Sequence, residues 1–142
     1  MNLTDSAKEY LNYLEGWLAS LPSYKLEAPE KTALMVVDIT NGFCNAGALA
    51  SPRVKAIVAP IVNLLKNAWA NKVRDFFLIN DNHDPDAVEF SAFPPHCVRG
   101  TVESQPVQEM IDLEFFSNMR LFEKNTISST QETDLLEVLH AR

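Results

Sequence analysis

Cysteine is scarce in this chain: its 142 residues include two, Cys44 and Cys97. That excludes a disulfide-stapled scaffold and makes a reducing cytoplasm the expected compartment. Positive charge is scarce as well. Twelve Lys and Arg face nineteen Asp and Glu, for a net charge of -7. Nucleic-acid binding needs a clustered positive field, so no nucleic-acid partner is expected. No apolar run approaches the ~20 residues of a membrane span, so no membrane partner is expected either. The opening MNLTDSAKEYLNYLEGW lacks a basic start followed by an apolar block, the pattern of a secretory signal. The chain has no internal repeat and no low-complexity segment.

What remains is the balance of a packed globular domain. Hydrophobic residues make up 46% and charged residues 22%. The length suits one ordinary domain, and the acidic charge suits a protein that handles small molecules.

Residues 4–21 read as a helix. Tyr10, Leu11, Leu14, Leu18 and Leu21 recur at helical spacing, Thr4 or Asp5 can cap the start, and Pro22 stops it. Residues 23–31 form a linker. The run ALMVV, ending in Asp38, is short, apolar and β-branched, as in a parallel-sheet strand buried on both faces. A loop with Gly42 and Gly47 follows over residues 41–52. Pro60 suits the first turn of a helix, placed over about residues 58–71. DFFLIN, residues 75–80, is a second strand, which completes a right-handed βαβ unit. A long irregular loop spans residues 81–104, and loops of that kind usually carry function. A short helix over about residues 105–113, a third strand near 120–123 and a helix from Ser129 or Thr130 through Leu139 complete the pattern.

Asp38 ends the first strand, and Asp81 and His83 follow the second. In open α/β sheets ligands bind at the carboxyl edge of the strands, so these three residues should converge. A carboxylate and an imidazole two residues apart in extended chain point to the same side. Glu89 and His96 can complete a metal site, with Pro94 and Pro95 stiffening the approach to His96. A mixed oxygen and nitrogen set suits Zn, Fe or Mn better than Ca or Mg. The alternative is structural. Asp81 and His83 would then be a capped loop end, and His96 a hydrogen-bonded loop histidine.

The segments ALMVVDITNGFCNAGALA, NDNHDPDAVEFSAFPPHCVRGT and FEKNTISSTQETDLLEVL resemble the nicotinamidase branch of the isochorismatase-like cysteine hydrolases. The resemblance runs from about Thr32 to the end of the chain, which leaves residues 1–31 as an appended helix and linker. It implies a three-layer, Rossmann-like α/β fold, a parallel sheet with flanking helices. It implies hydrolysis of a small amide, nicotinamide to nicotinate and ammonia, through a cysteine thioester. The resemblance makes Asp38 the general base and Lys124 the triad lysine. It makes Asp81, His83, Glu89 and His96 the ligands of a divalent metal, zinc foremost with Fe or Mn as alternatives. Phe43 matches an aromatic residue that packs on the substrate ring.

The chain departs from the family pattern in four places. Gly42 stands where an acid is usual, Thr40 where glutamine is common, and Asn82 where the motif often has tryptophan. The fourth is the nucleophile, because no cysteine follows Lys124. Cys44 and Cys97 are not expected to replace it, since neither adjoins an evident helix N-terminus. The expectation is a C-terminally incomplete sheet: a fragment, a piece of a nicked protein, or a truncation sustained by a partner. That partner would be a second copy or a complementing C-terminal polypeptide. A related hydrolase of another small amide or ester, and a non-catalytic metal- or ligand-binding subunit, are the alternative readings. The N-terminal helix would cap the domain or form a subunit contact.

Overall fold

The computed structural model describes residues 3–23 and 27–141. Helix α1, Leu3–Ser20, comes first. Strand β1, Ala33–Val37, leads through a one-turn helix α2, Asn41–Cys44, to the long helix α3, Pro52–Ala70. Strand β2, Asp75–Asp81, is followed by the long loop and helix α4, Gln108–Ile111. Strand β3, Arg120–Lys124, and helix α5, Leu135–His140, complete the described chain. The three strands form one parallel sheet in the order β1-β2-β3, with Val37 beside Ile79 and Asp81 beside Lys124. This is the α/β sheet with flanking helices that the sequence implies.

The central strand β2 reads DFFLIND, and all of it but Asp75 is buried. Alternate side chains feed two cores. Phe76 and Leu78 join Val36, Val58, Leu65 and Phe115 on one face. Phe77 and Ile79 join Phe122, Leu135 and Val138 on the other. Trp69 stacks on Phe115 at 4.6 Å between centroids, which anchors α3 over the first face.

Several boundaries differ from the sequence reading. β1 is buried on one face only. Met35 and Val37 lie on the side that α5 covers for β2 and β3, and they remain 43% and 52% exposed. α3 starts six residues earlier than Pro60 suggests. Ser51 caps it by accepting a bond from the Arg53 N–H at 3.2 Å, and Pro52 takes the first-turn position. Pro60 therefore sits inside the helix, where it has no N–H to give to the preceding turn. The loop after β1 opens with α2. α4 is shorter than residues 105–113, because Pro106 disfavours helical backbone at Gln105. The last helix begins at Leu135, not near Ser129. Hydroxyls compete for the backbone there: Thr126 Oγ1 donates to the Ser128 carbonyl at 3.0 Å, and Ser128 and Thr130 bond each other at 2.9 Å. The apolar stripe of α1 does not cap the sheet. Tyr10, Leu11, Tyr13, Trp17 and Leu18 are all exposed. No described helix is long and apolar enough to cross a membrane.

Candidate metal centre and catalytic pair

Asp81 is the last residue of β2, and His83 follows two positions on. His83 is held by a second, parallel bridge. Its N–H donates to the Cys97 carbonyl at 3.0 Å, and the Arg99 N–H donates to the His83 carbonyl at 2.7 Å. That bridge closes the intervening loop on itself and returns His96 to the strand edge. The two imidazoles then lie 4.8 Å apart between centroids.

Both Nε2 atoms face the same carboxylates. Asp81 Oδ2 is 3.4 Å from His83 Nε2 and 3.5 Å from His96 Nε2. Glu89, on the short turn Val88–Ser91, places one oxygen 3.8 Å from each of them. The opposite ring nitrogens are occupied. His96 Nδ1 donates to the Pro94 carbonyl at 2.8 Å, and His83 Nδ1 faces the Asn125 carbonyl at 3.2 Å. A carbonyl only accepts, so each Nδ1 carries the hydrogen and each Nε2 presents a lone pair to the centre. His83 Nε2 and Glu89 Oε2 are buried with no hydrogen-bond partner in the protein. Donors that adjoin one another around an ion at about 2.1 Å stand about 3.0 to 3.4 Å apart, close to the 3.4 to 3.8 Å between these groups. Asp81, His83 and His96 form a cluster able to hold a metal ion, and Glu89 borders both histidines. The residues fit such an ion in number, chemistry and spacing.

Lys124, at the end of β3, is 3% exposed and lies between two carboxylates. It hydrogen-bonds Asp81 Oδ1, and its Nζ is 3.3 Å from Asp38 Oδ1. Burial alone would lower the ammonium, but the Asp81 and Asp38 carboxylates together hold it above its ordinary value. Asp38 leaves β1 with a φ of 58°, left-handed backbone that aspartate tolerates better than most residues. Burial, and then the Asp81 charge, raise the Asp38 carboxyl against the opposing pull of Lys124. A carboxylate so raised is a stronger proton acceptor.

Phe43, on α2, packs its ring 5.5 Å from that of His96, at the rim of the cluster. The structure thus gathers all seven site residues expected from the sequence: Asp38, Phe43, Asp81, His83, Glu89, His96 and Lys124. Two contributors escaped the sequence reading. Phe90 packs edge-on against both histidines, 5.3 and 5.6 Å away. Asn125 holds His83 through its carbonyl, and its side chain accepts from the Asp84 N–H at 2.8 Å. Their only signals were adjacency to Glu89 and Lys124.

Neither cysteine is an activated thiol. Cys97 is fully buried, and burial pushes it up to about 11, with the Asp81, Glu103 and Asp38 charges adding to the effect. The hydroxyl of Thr40, 3.4 Å from its sulfur, opposes this only in part. Burial raises Cys44 too. Asn82, by strand alternation, projects away from Asp81 and His83. Asn82 is itself buried between the two ligands.

Comparison with known proteins identifies the family. Over 94 residues the chain is 30% identical to nicotinamidase 1 of Arabidopsis thaliana, covering 63% of this chain and 38% of that protein. The crystal structure of N-carbamoylsarcosine amidase from Thermoplasma acidophilum superposes with a TM-score of 0.67 at 28% identity, over 77% of this chain and 60% of that one. The nicotinamidase of Bacillus subtilis superposes with a TM-score of 0.66 at 30% identity, over 79% and 65%. The chain thus spans about two-fifths of the Arabidopsis protein and under two-thirds of either solved chain. The family model for the isochorismatase domain matches residues 32–142, and the chain belongs to that family.

Proposed function

We propose that this chain carries the metal-binding and proton-accepting part of a metal-dependent amidohydrolase of nicotinamidase type. The observation that carries this reading is the convergence of two imidazole lone pairs and two carboxylates beside the Asp38–Lys124 pair. Asp81, His83, Glu89 and His96 would hold one divalent ion, with zinc favoured over Fe or Mn. That ion would supply a Lewis-acid anchor for a substrate ring nitrogen and for water. Phe43 would pack against the substrate ring. Residues 32–142 form the hydrolase domain, and residues 1–31 are an appended helix and linker. We place the protein in the cytoplasm, where its free cysteines stay reduced.

The substrate is nicotinamide and the products are nicotinate and ammonia. Asp38 takes the proton of a nucleophilic thiol. Lys124 keeps a positive charge beside the thiolate as it forms. The sulfur bonds to the amide carbon, the carbon–nitrogen bond breaks, and nitrogen leaves as ammonia with the transferred proton. Water then cleaves the thioester. The thiol is neither Cys44 nor Cys97, whose environments favour the protonated form. It comes from polypeptide outside this sequence.

The test joins metal content to ammonia release. The purified protein should bind one equivalent of zinc, and the His96→Ala variant should not. With the polypeptide that supplies the thiol, nicotinamide should release ammonia. Zinc binding without ammonia release under those conditions would instead identify a metal-binding subunit.

The likeness to the Thermoplasma amidase supports a second reading, a related hydrolase of another small amide. Nicotinamide and N-carbamoyl amides compared in the same ammonia assay separate the two.

A further inference from the structure

We infer that Asp84 and Arg99 are positioning residues for the metal centre, which hold His83 in place through a closed circuit of hydrogen bonds. That role rests on the proposed metal binding by Asp81, His83, Glu89 and His96. The circuit starts at the ring, where His83 Nδ1 meets the Asn125 carbonyl at 3.2 Å. The Asn125 side chain then grips Asp84 twice. It accepts from the Asp84 N–H at 2.8 Å and donates to Asp84 Oδ2 at 3.2 Å. The other oxygen, Asp84 Oδ1, accepts from Arg99 Nε at 2.9 Å. Arg99 closes the circuit on the main chain. Its N–H donates to the His83 carbonyl at 2.7 Å, and its Nη2 donates to the Asn82 carbonyl at 3.1 Å.

Asp84 thereby joins the segments that carry the site. It directly follows His83 at the end of β2. Arg99 lies three residues beyond His96, on the return of the long loop. Asn125 directly follows Lys124, the last residue of β3. The His83 ring, through Asn125, and the His96 segment, through Arg99, are both referred to one carboxylate that is not itself part of the metal cluster. The Asn125 carbonyl fixes the ring only as far as Asn125 is fixed, and Asp84 is what its side chain bonds.

Folding stability does not account for the pair. The Arg99 and Asp84 side chains are 50% and 48% exposed, and ion pairs so open to water add little to stability. Charge alone does not account for it either, because a guanidinium near a cation site repels the cation. Geometry does. The planar fork of Arg99 reaches a carboxylate and a main-chain carbonyl at once, with donors in fixed relative directions. A circuit closed in this way polarises and supports each of its bonds, so loss of one member loosens the rest.

Calorimetric titration of the full chain with zinc tests this, beside urea denaturation of the metal-free protein. Arg99→Met and Asp84→Ala should each weaken zinc binding about 10-fold, the low end for groups behind the ligands. The urea midpoint of the metal-free protein should stay where it is in both, as expected for an exposed pair. The double variant should also be about 10-fold weaker, and not the about 100-fold of two independent losses. Charge acting alone predicts the opposite pattern. Arg99→Met would then bind zinc more tightly, and the double variant, with both charges gone, would bind it like the parent. Either result would overturn the inference. So would a loss of affinity matched by an equal loss of metal-free stability, since the pair would then hold the loop and not the ring. Zinc binding by the parent and equal binding by both single variants overturns the inference alone. A parent that binds no zinc overturns the metal reading with it.

Discussion

Gly42 packs so closely against Cys97 that a Cβ on residue 42 would stand 2.5 Å from the Cys97 sulfur. The Glu103 carbonyl oxygen, 3.2 Å from the same point, closes the other side. The acid usual in the family at this position has no room here, so the departure is matched by the local packing. Gly42→Ala should cost about 1–3 kcal/mol through overpacking. Cys97→Ala in the same chain should recover part of that loss, because it removes the sulfur and leaves the Glu103 contact. A double-mutant cycle by urea denaturation measures the coupling.

Asp38 should trade stability for reactivity. Its carboxyl is raised in the folded protein, by burial first and the Asp81 charge second. A raised carboxyl favours the folded state when protonated and opposes it when ionised. The opposition is absent below the ordinary value of 3.8 and grows as pH rises through the folded value. Asn keeps the shape and tolerates the φ of 58°. Asp38→Asn should therefore be more stable than the parent in EDTA at pH 7, with the gap closing toward pH 3.5. Denaturant midpoints at the two pH values check the sign. A variant less stable at pH 7 would show that the Lys124 pairing outweighs burial.

Lys124 is the counterpart case. Removing one member of a buried ionic cluster leaves the others uncompensated, a loss of about 3–5 kcal/mol. Lys124→Met should destabilise by that order, and Asp38→Asn added to it should restore part of the stability. Thermal unfolding of the two variants reads both effects.

The metal centre makes its own prediction through Asn125. Its carbonyl meets His83 Nδ1 at 3.2 Å, and its side chain ties down Asp84. Asn125→Ala should weaken zinc binding about 10-fold by loosening the His83 ring, in the range typical of groups behind the ligands. His83→Ala should weaken it far more. Isothermal titration with zinc gives the ratio, and equal affinity in Asn125→Ala and the parent would show that the backbone alone positions His83.

Cys97 should be inert. A thiol held at about 11 is about one part in a thousand thiolate at pH 8. Iodoacetamide should leave it unmodified in the native protein and label it after denaturation. Peptide mass mapping after a timed pulse distinguishes the two. Rapid native labelling would return Cys97 to consideration as a nucleophile.

Much of the fold was legible because it rests on local patterns. The run DFFLIND is apolar on both faces, and it became the central strand with two cores. Asp81 and His83, two residues apart in extended chain, had to point the same way. The position of Pro94 and Pro95 before His96, and of Asp38 at a strand end, marked those two residues in advance, whereas Lys124 and Phe43 were marked only by the family resemblance. The errors were also local in origin: Pro60 was read as a helix start when Ser51 and Pro52 form the better cap.

Tertiary structure decided what depends on register and closure. His96 reaches Asp81 because the His83–Val98 bridge folds the fourteen intervening residues back on themselves. Lys124 meets both Asp81 and Asp38 because β2 and β3 pair in one register, with Asp81 beside Lys124. A shift of one residue would turn Lys124 to the other face. The exposure of Met35 and Val37 reflects where α5 lies, over β2 and β3, which the run ALMVV does not encode. Side-chain identity and spacing determine which chemistry is available. Contacts between distant segments determine which groups meet, because they follow from the joint packing of several elements and not from any one of them.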